Sequence, residues 1–459
     1  MMHFLGGVRT STEPLPAFKD VWVDHPSCGL TAGTRTDQAK SGSLHAVVAG
    51  EVQNAAFLRA DLGASPGDAA VVLAAYQKWG VACAAHFDGH FAITLYDAAT
   101  EQMTLLRDKL GTWPLYITRS DLGKGSPCLF STDLHALLDL LPNTSPDRDA
   151  IAAYLEGNGV PSLFAEITQV PAGHSAQVTP SGGVQILSYT EVDVTAVPSG
   201  EAGDISQAEP LRMLDNNTRL HVQRAKQLGV LLQGDVASAG LTGIVNLYHQ
   251  AAVRTVTPQI DPLVHRAAHR FGTLHSSSDQ PADLLALWTQ VIWQTGQPVI
   301  DSAALTLTHM ARYVASDISH FVVPTGASIW AGQSVTAQAA VFSAAQQMAA
   351  PHGVLLAAPF LSAGLVALAQ TSADDVMLRR ALRPLLGQAW EGAALEHAPQ
   401  DLSAVAAAVM ADGRLAARGL TGAVTPQNQV ACAALEIWWR LFVENDSEAL
   451  DRVKGEANA

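Results

Sequence analysis

Leu228-Gly229-Val230-Leu231-Leu232-Gln233-Gly234-Asp235-Val236-Ala237-Ser238-Ala239-Gly240 decides the fold of the second half of this chain. The apolar run Leu228–Leu232 reads as a buried strand. Gly234 marks a tight turn, and the small residues after it open a helix. That geometry directs several backbone N–H groups and one helix N-terminus at a single spot, a setting suited to a phosphate.

The 459-residue chain is long enough for two domains, each with its own core. It is 15% charged with a formal net charge of −15, which argues against nucleic acid or an anionic membrane surface as a partner. Cys28, Cys83, Cys128 and Cys432 are scattered, with no Cys-x-x-Cys, so neither a zinc site nor a disulfide framework is expected. That usage fits the cytoplasm. No apolar run reaches the 18 residues a membrane span needs, and no signal peptide is apparent. Many strands and few helices precede Ala196–Asp204, a stretch of small and turn residues, and strand–helix alternation follows it. The alternation predicts a doubly wound parallel sheet, with any site at the carboxyl ends of its strands.

The quoted loop resembles the pyrophosphate loop of the asparagine synthetase family, where an apolar strand leads into Ser-Gly-Gly-x-Asp-Ser-Ser. Gly234 and Ser238 keep the pattern. Gln233, Asp235, Ala237 and Ala239 replace its first Ser, second Gly, Asp and last Ser. The family's Asp holds Mg²⁺ on the triphosphate, and Ala237 has no oxygen for a hard cation. Asp235 puts a negative side chain where backbone approaches phosphate, and it repels the anion. The rest of the chain repeats this division between scaffold and chemistry. His320–Gln333 resembles the family's Leu-Thr-Gly-x-Gly-x-Asp-Glu segment; Thr325, Gly326 and Gly332 are kept, while Ile329 and Trp330 stand near the acidic pair. Gly353–Ser362 keeps Pro359-Phe360-Leu361 but has Leu355, Ala357 and Ser362 for Glu, Arg and Asp. Glu436-Ile437-Trp438-Trp439-Arg440-Leu441-Phe442 resembles the closing helix, with its Trp pair read as packing.

The N-terminal half resembles the family's glutaminase. Family members begin Met-Cys-Gly-Ile with Cys as nucleophile; Met2 stands there, and a thioether cannot attack an amide. Ala49 replaces the Asn that helps hold the oxyanion. Asp68, near the family's substrate-binding Asp, is read as a helix N-cap. Phe87–Asp97, Arg107-Asp108-Lys109-Leu110-Gly111-Thr112-Trp113-Pro114-Leu115-Tyr116 and Ile167–His174 match scaffold segments. Arg107 and Asp108 are read as tying a strand end to a turn, and His3, His90 and His135 as structural or incidental.

The resemblance implies an α/β and α+β fold. An N-terminal Ntn-hydrolase-like layered domain of the class II glutamine amidotransferase kind spans 1–195, and a linker spans 196–206. Over 207–459 it implies a doubly wound parallel-sheet domain like the ATP-pyrophosphatases (adenine nucleotide α-hydrolase-like). The expected function is that of a pseudoenzyme, a binding, scaffolding or regulatory subunit in a natural-product or modified-peptide pathway. No cofactor and no bound metal are expected. The expected partner is a protein: an active paralogue, a pathway enzyme or a second copy. The alternative is an ATP- and magnesium-dependent amide-bond-forming ligase of the asparagine synthetase, lasso-peptide cyclase or β-lactam synthetase type, without glutaminase activity. Nucleotide would then lie at Gly234, Asp235, Ser238 and Gly326, with Asp235 as the only nearby carboxylate. A third reading, a metal site from His265, His269 and His275, lacks an acidic partner in register, so these are read as surface histidines.

Overall fold

The computed structural model describes residues 3–8, 21–25, 27–33, 36–119, 127–179, 183–190, 192, 209–258, 261–278, 281, 283–372, 375–397, 400–415, 418–420 and 424–455. Met2 and the linker expected at 196–206 lie outside them. Two compact units form, and neither is contiguous in sequence. Met1–Glu191, Leu284–Ile300 and Asp401–Ala459 make unit 1; Val192–Asp283 and Asp301–Gln400 make unit 2.

In chain order the elements are β1 (Phe4–Val8), β2 (Val21–His25), β3 (Cys28–Ala32), β4 (Asp37–Ser41), β5 (Leu44–Val52), α1 (Ala55–Leu62), α2 (Asp68–Trp79), β6 (Gly89–Asp97), β7 (Gln102–Arg107), β8 (Tyr116–Thr118), β9 (Cys128–Ser131), α3 (Leu134–Leu138), α4 (Arg148–Leu155), β10 (Ile167–Gln169), β11 (His174–Val178) and β12 (Val184–Ser188). There follow α5 (Glu209–Arg224), β13 (Leu228–Leu231), α6 (Val236–Tyr248), β14 (Arg254–Thr257), α7 (Pro262–Phe271), β15 (Leu274–Ser277), α8 (Leu284–Thr295), α9 (Ser302–Val314), β16 (His320–Val322), α10 (Val335–Ala349), β17 (Leu355–Ala357), α11 (Ala363–Ser372), α12 (Asp375–Leu386), α13 (Ser403–Ala411), α14 (Gln429–Phe442) and α15 (Ser447–Gly455).

Among the described residues unit 1 holds two six-stranded sheets, ordered β10-β8-β9-β1-β3-β2 and β12-β11-β7-β6-β5-β4. Every pairing in them is antiparallel. β6 is buried almost end to end because both its faces are covered. Ile93 and Leu95 join Val71, Val72 and Ala75 of α2 in one apolar cluster. On the opposite face Tyr96 Oη meets His25 Nδ1 of the first sheet at 2.9 Å, and Trp22 packs edge-on against His45. Beyond the first sheet lie α8 and α14: Tyr116 Oη donates to Thr295 O at 3.1 Å, and Trp438 Nε1 donates to Gly296 O at 2.9 Å. Helix, sheet, sheet and helix therefore stack in layers, the last of them supplied by segments beyond the expected 1–195 domain. The Trp pair is packing: Trp438 is fully buried against Phe164.

Unit 2 is built on a five-stranded parallel sheet, ordered β15-β14-β13-β16-β17. β13 is central and wholly buried, as its apolar run requires. The helix that follows it, α6, is buried from Val236 through Val245.

Candidate functional site

The loop between β13 and α6 lies at the carboxyl end of the central strand. Gly234 makes the turn with φ +79°, and a Cβ there would come within 2.9 Å of Asp261 Oδ1, so the position demands glycine. Asp235 is the N-cap of α6, its Oδ1 accepting from Ser238 N at 2.6 Å. Ser238 Oγ in turn accepts from Gln233 N at 3.0 Å. The kept Ser and the substituted Asp thus hold the turn together.

A helix start offers three or four amides with no intrahelical partner. At α6 these are taken by protein. Val236 N donates to Ala394 O at 3.0 Å and Ala237 N to Leu395 O at 2.9 Å. The neighbouring loop after β16 is closed the same way. Gly326, at φ +99°, has its N–H on Gln338 Oε1 at 3.1 Å, and Ser328 N donates to Glu396 Oε2 at 2.9 Å. Residues 393–397 therefore form a strap that presents two carbonyls and a carboxyl to the amides of both loops. Arg379 anchors its start, with Nη1 on Ala393 O at 2.7 Å and Nε on Asp375 Oδ2 at 2.6 Å.

The structure brings Gly234, Asp235 and Ser238 into one loop and adds a residue the sequence reading missed. Asp235 is not the only carboxylate at the site: Glu396 faces it, and Asp261 stands over Gly234. No motif marks Glu396; only its place in a run of small residues sets it apart. Burial pushes Asp235 up to about 6, although the Ser238 N–H bond and His397 draw it down. Burial, and then the charge of Asp235, push Glu396 up to about 8.

This donor set does not fit the magnesium–triphosphate group that the resemblance implies. The Ala237 side chain carries no oxygen, Ile329 and Trp330 are core residues each 1% exposed, and Leu355 and Ala357 line the sheet. Ser362 Oγ accepts from Asn217 Nδ2 at 2.6 Å. Among the described residues no group of three or more His, Cys, Asp or Glu is placed to hold a metal ion. His265 and His269 are exposed on α7. His265 meets His275 with ring centroids 6.0 Å apart, and His275 Nδ1 bonds Thr255 Oγ1 at 3.0 Å.

In unit 1, Ala49 is fully buried in β5 opposite Ala92. Asp68 is expected as the N-cap of α2, but Gly67 holds that position. Asp68 instead turns its Oδ2 to accept from Val52 N at 2.9 Å, binding the end of β5 to the helix. Arg107 donates to three carbonyls, Trp113 O, Val170 O and Gly111 O, at 2.7–2.8 Å. Asp108 accepts from Leu110 N, Thr112 N and Trp113 N at 2.9–3.1 Å. The pair ties strand to turn. His90 Nδ1 bonds Thr112 Oγ1 at 2.9 Å and His135 Nε2 bonds Trp293 O at 2.7 Å, so both are structural. All four cysteines are free and buried, and burial pushes the thiols of Cys28, Cys83 and Cys128 up to about 12. Among the described residues no helix is long and apolar enough to cross a membrane.

Residues 31–190 match the glutamine amidotransferase domain family. A putative glutamine-hydrolysing asparagine synthetase of Mycobacterium tuberculosis is 25% identical over 288 residues, covering 57% of this chain and 43% of that protein. Asparagine synthetase 1 of Bacillus subtilis is 21% identical over 280 residues, with the same coverage. This chain spans less than half the length of these curated relatives. A solved glutamine phosphoribosylpyrophosphate amidotransferase from B. subtilis, complexed with ADP and GMP, aligns at 12% identity over 70% of this chain and 75% of its own, with a TM-score of 0.28. The amidotransferase match and the asparagine synthetase relatives together support membership of the asparagine synthetase superfamily.

Proposed function

We propose that this protein is a non-catalytic homologue of asparagine synthetase, a binding, scaffolding or regulatory subunit that keeps the fold and has given up both half-reactions. The observation that carries the reading is the closure of the loop amides by Ala394 O, Leu395 O and Glu396 Oε2. A triphosphate arriving there would meet filled donors and two carboxyl groups. In unit 1 the nucleophile position is Met2 and the oxyanion position is Ala49, neither of which supports amide hydrolysis. On this reading the protein needs no cofactor and works in the cytoplasm. It acts through a protein partner: an active paralogue, an enzyme of a natural-product or modified-peptide pathway, or a second copy.

The alternative is an ATP-dependent amide-forming ligase. It is favoured by the kept Gly234 turn and Ser238, and it requires the strap to leave. The test is release of pyrophosphate from Mg²⁺-ATP with a panel of carboxylic acids and amines, and of ammonia from glutamine. We expect neither above the buffer rate. Pyrophosphate release that stops when magnesium is chelated would overturn the proposal.

A further inference from the structure

Three strap contacts close the loop amides, and one of them is chargeable. The strap carbonyls on Val236 and Ala237 are neutral and indifferent to pH. Glu396 is different, because it lies half-buried beside the buried acid Asp235 at the mouth of α6. The charged groups around the pair come from several elements. Asp235 faces Glu396 from the start of α6 and Asp301 from the start of α9. Asp261, capping α7, stands over the Gly234 turn. His397, the next strap residue, faces Asp235 and draws its proton off. Arg379 of α12 is already paired with Asp375, and Arg383 with Glu391 at 2.9 Å. The groups that act directly on Glu396 are thus acidic, and the nearby arginines are engaged elsewhere.

We propose that residues 393–397 are a displaceable strap, latched while Glu396 carries a proton, and that loss of this proton lifts the strap and uncovers the amides of Val236, Ala237 and Ser328. The proposal rests on the closed-loop reading given above and names how that closure is regulated. The Ser328 N–H favours the ionised carboxyl, whereas burial and the Asp235 charge oppose it more strongly, so the closed strap binds a proton that the open strap releases. Closure is then most complete at low pH, and opening grows as pH rises toward about 8. One proton sets the limit: the opening constant rises by at most about tenfold per pH unit.

The test is amide hydrogen exchange of the full chain at pH 6, 7, 8 and 9, read by mass spectrometry and corrected for intrinsic exchange. Peptides covering 233–240 and 326–331 report the strap, and peptides of β5 and β6 report unit 1. We expect opening at the two loops to rise several-fold per pH unit from pH 6 to about 8 and to level off by pH 9, while β5 and β6 hold constant. Glu396→Gln, which cannot ionise, should flatten the profile and remain protected at pH 9. Asp235→Asn, which keeps a capping oxygen, should reduce the slope. A flat wild-type profile, or an unchanged slope in both variants, overturns the strap and leaves the non-catalytic reading standing. Pyrophosphate release from Mg²⁺-ATP on the pH 9 sample would sink the non-catalytic reading and leave the strap intact.

Discussion

Asp108 accepts three backbone N–H bonds inside a turn from which water is excluded, and Arg107 beside it fills three carbonyls. Taking away one member leaves buried donors and an uncompensated charge, a loss of about 3–5 kcal/mol. Asp108→Ala should therefore lower the unfolding free energy of unit 1 by roughly that amount in urea titrations followed by Trp fluorescence. A loss below about 1 kcal/mol would mean that water reaches the turn. The structural role of this pair was legible in the sequence, because a polar pair just before a Gly-punctuated turn has few other uses. Asp235 was half legible. Its charge at the loop was plain, but its capping of Ser238 depends on a rotamer that no spacing rule specifies. Asp68 was misread because the cap position fell one residue earlier, on Gly67, freeing the carboxylate to bind the β5 backbone.

At the scale of the element, the strand–turn–helix of β13 and α6 was readable because all its determinants are local: an apolar run, a glycine and small residues. The strap was not. Glu396 meets Ser328 from 68 residues along the chain, and only the packed path of α12 brings it back. The two acids also make unit 2 sensitive to pH. Folded, Asp235 and Glu396 hold protons to about 6 and about 8; unfolded, such carboxyls release them near about 4. The folded state binds more protons across that window, so these groups leave unit 2 most stable at its acid end and less stable as pH rises through it. Urea midpoints of unit 2 should fall between pH 5 and pH 8.5, and Glu396→Gln should shrink the fall. A midpoint that rises over the same range in wild type but not in Glu396→Gln would contradict the assignment.

At the scale of the whole molecule, unit 1 depends on segments far from the N-terminus. Tyr116, His135 and Tyr154 bond the backbone at Thr295, Trp293 and Pro298, and Phe164 packs on Trp438. The composition change near residue 196 was visible in the sequence; the return of α8 and α14 to unit 1 was not, because amphipathic helices do not announce which sheet they cover. Residues 1–195 expressed alone should aggregate or bind ANS, having lost the layer that covers β8 and β9. A monomeric piece with a cooperative melt would show that α8 and α14 are dispensable. The central claim, that the loop amides are satisfied by the chain itself, meets its most direct test in calorimetric titration of the full chain with Mg²⁺-ATP at pH 7. No saturable heat is expected. A magnesium-dependent isotherm that saturates would contradict it.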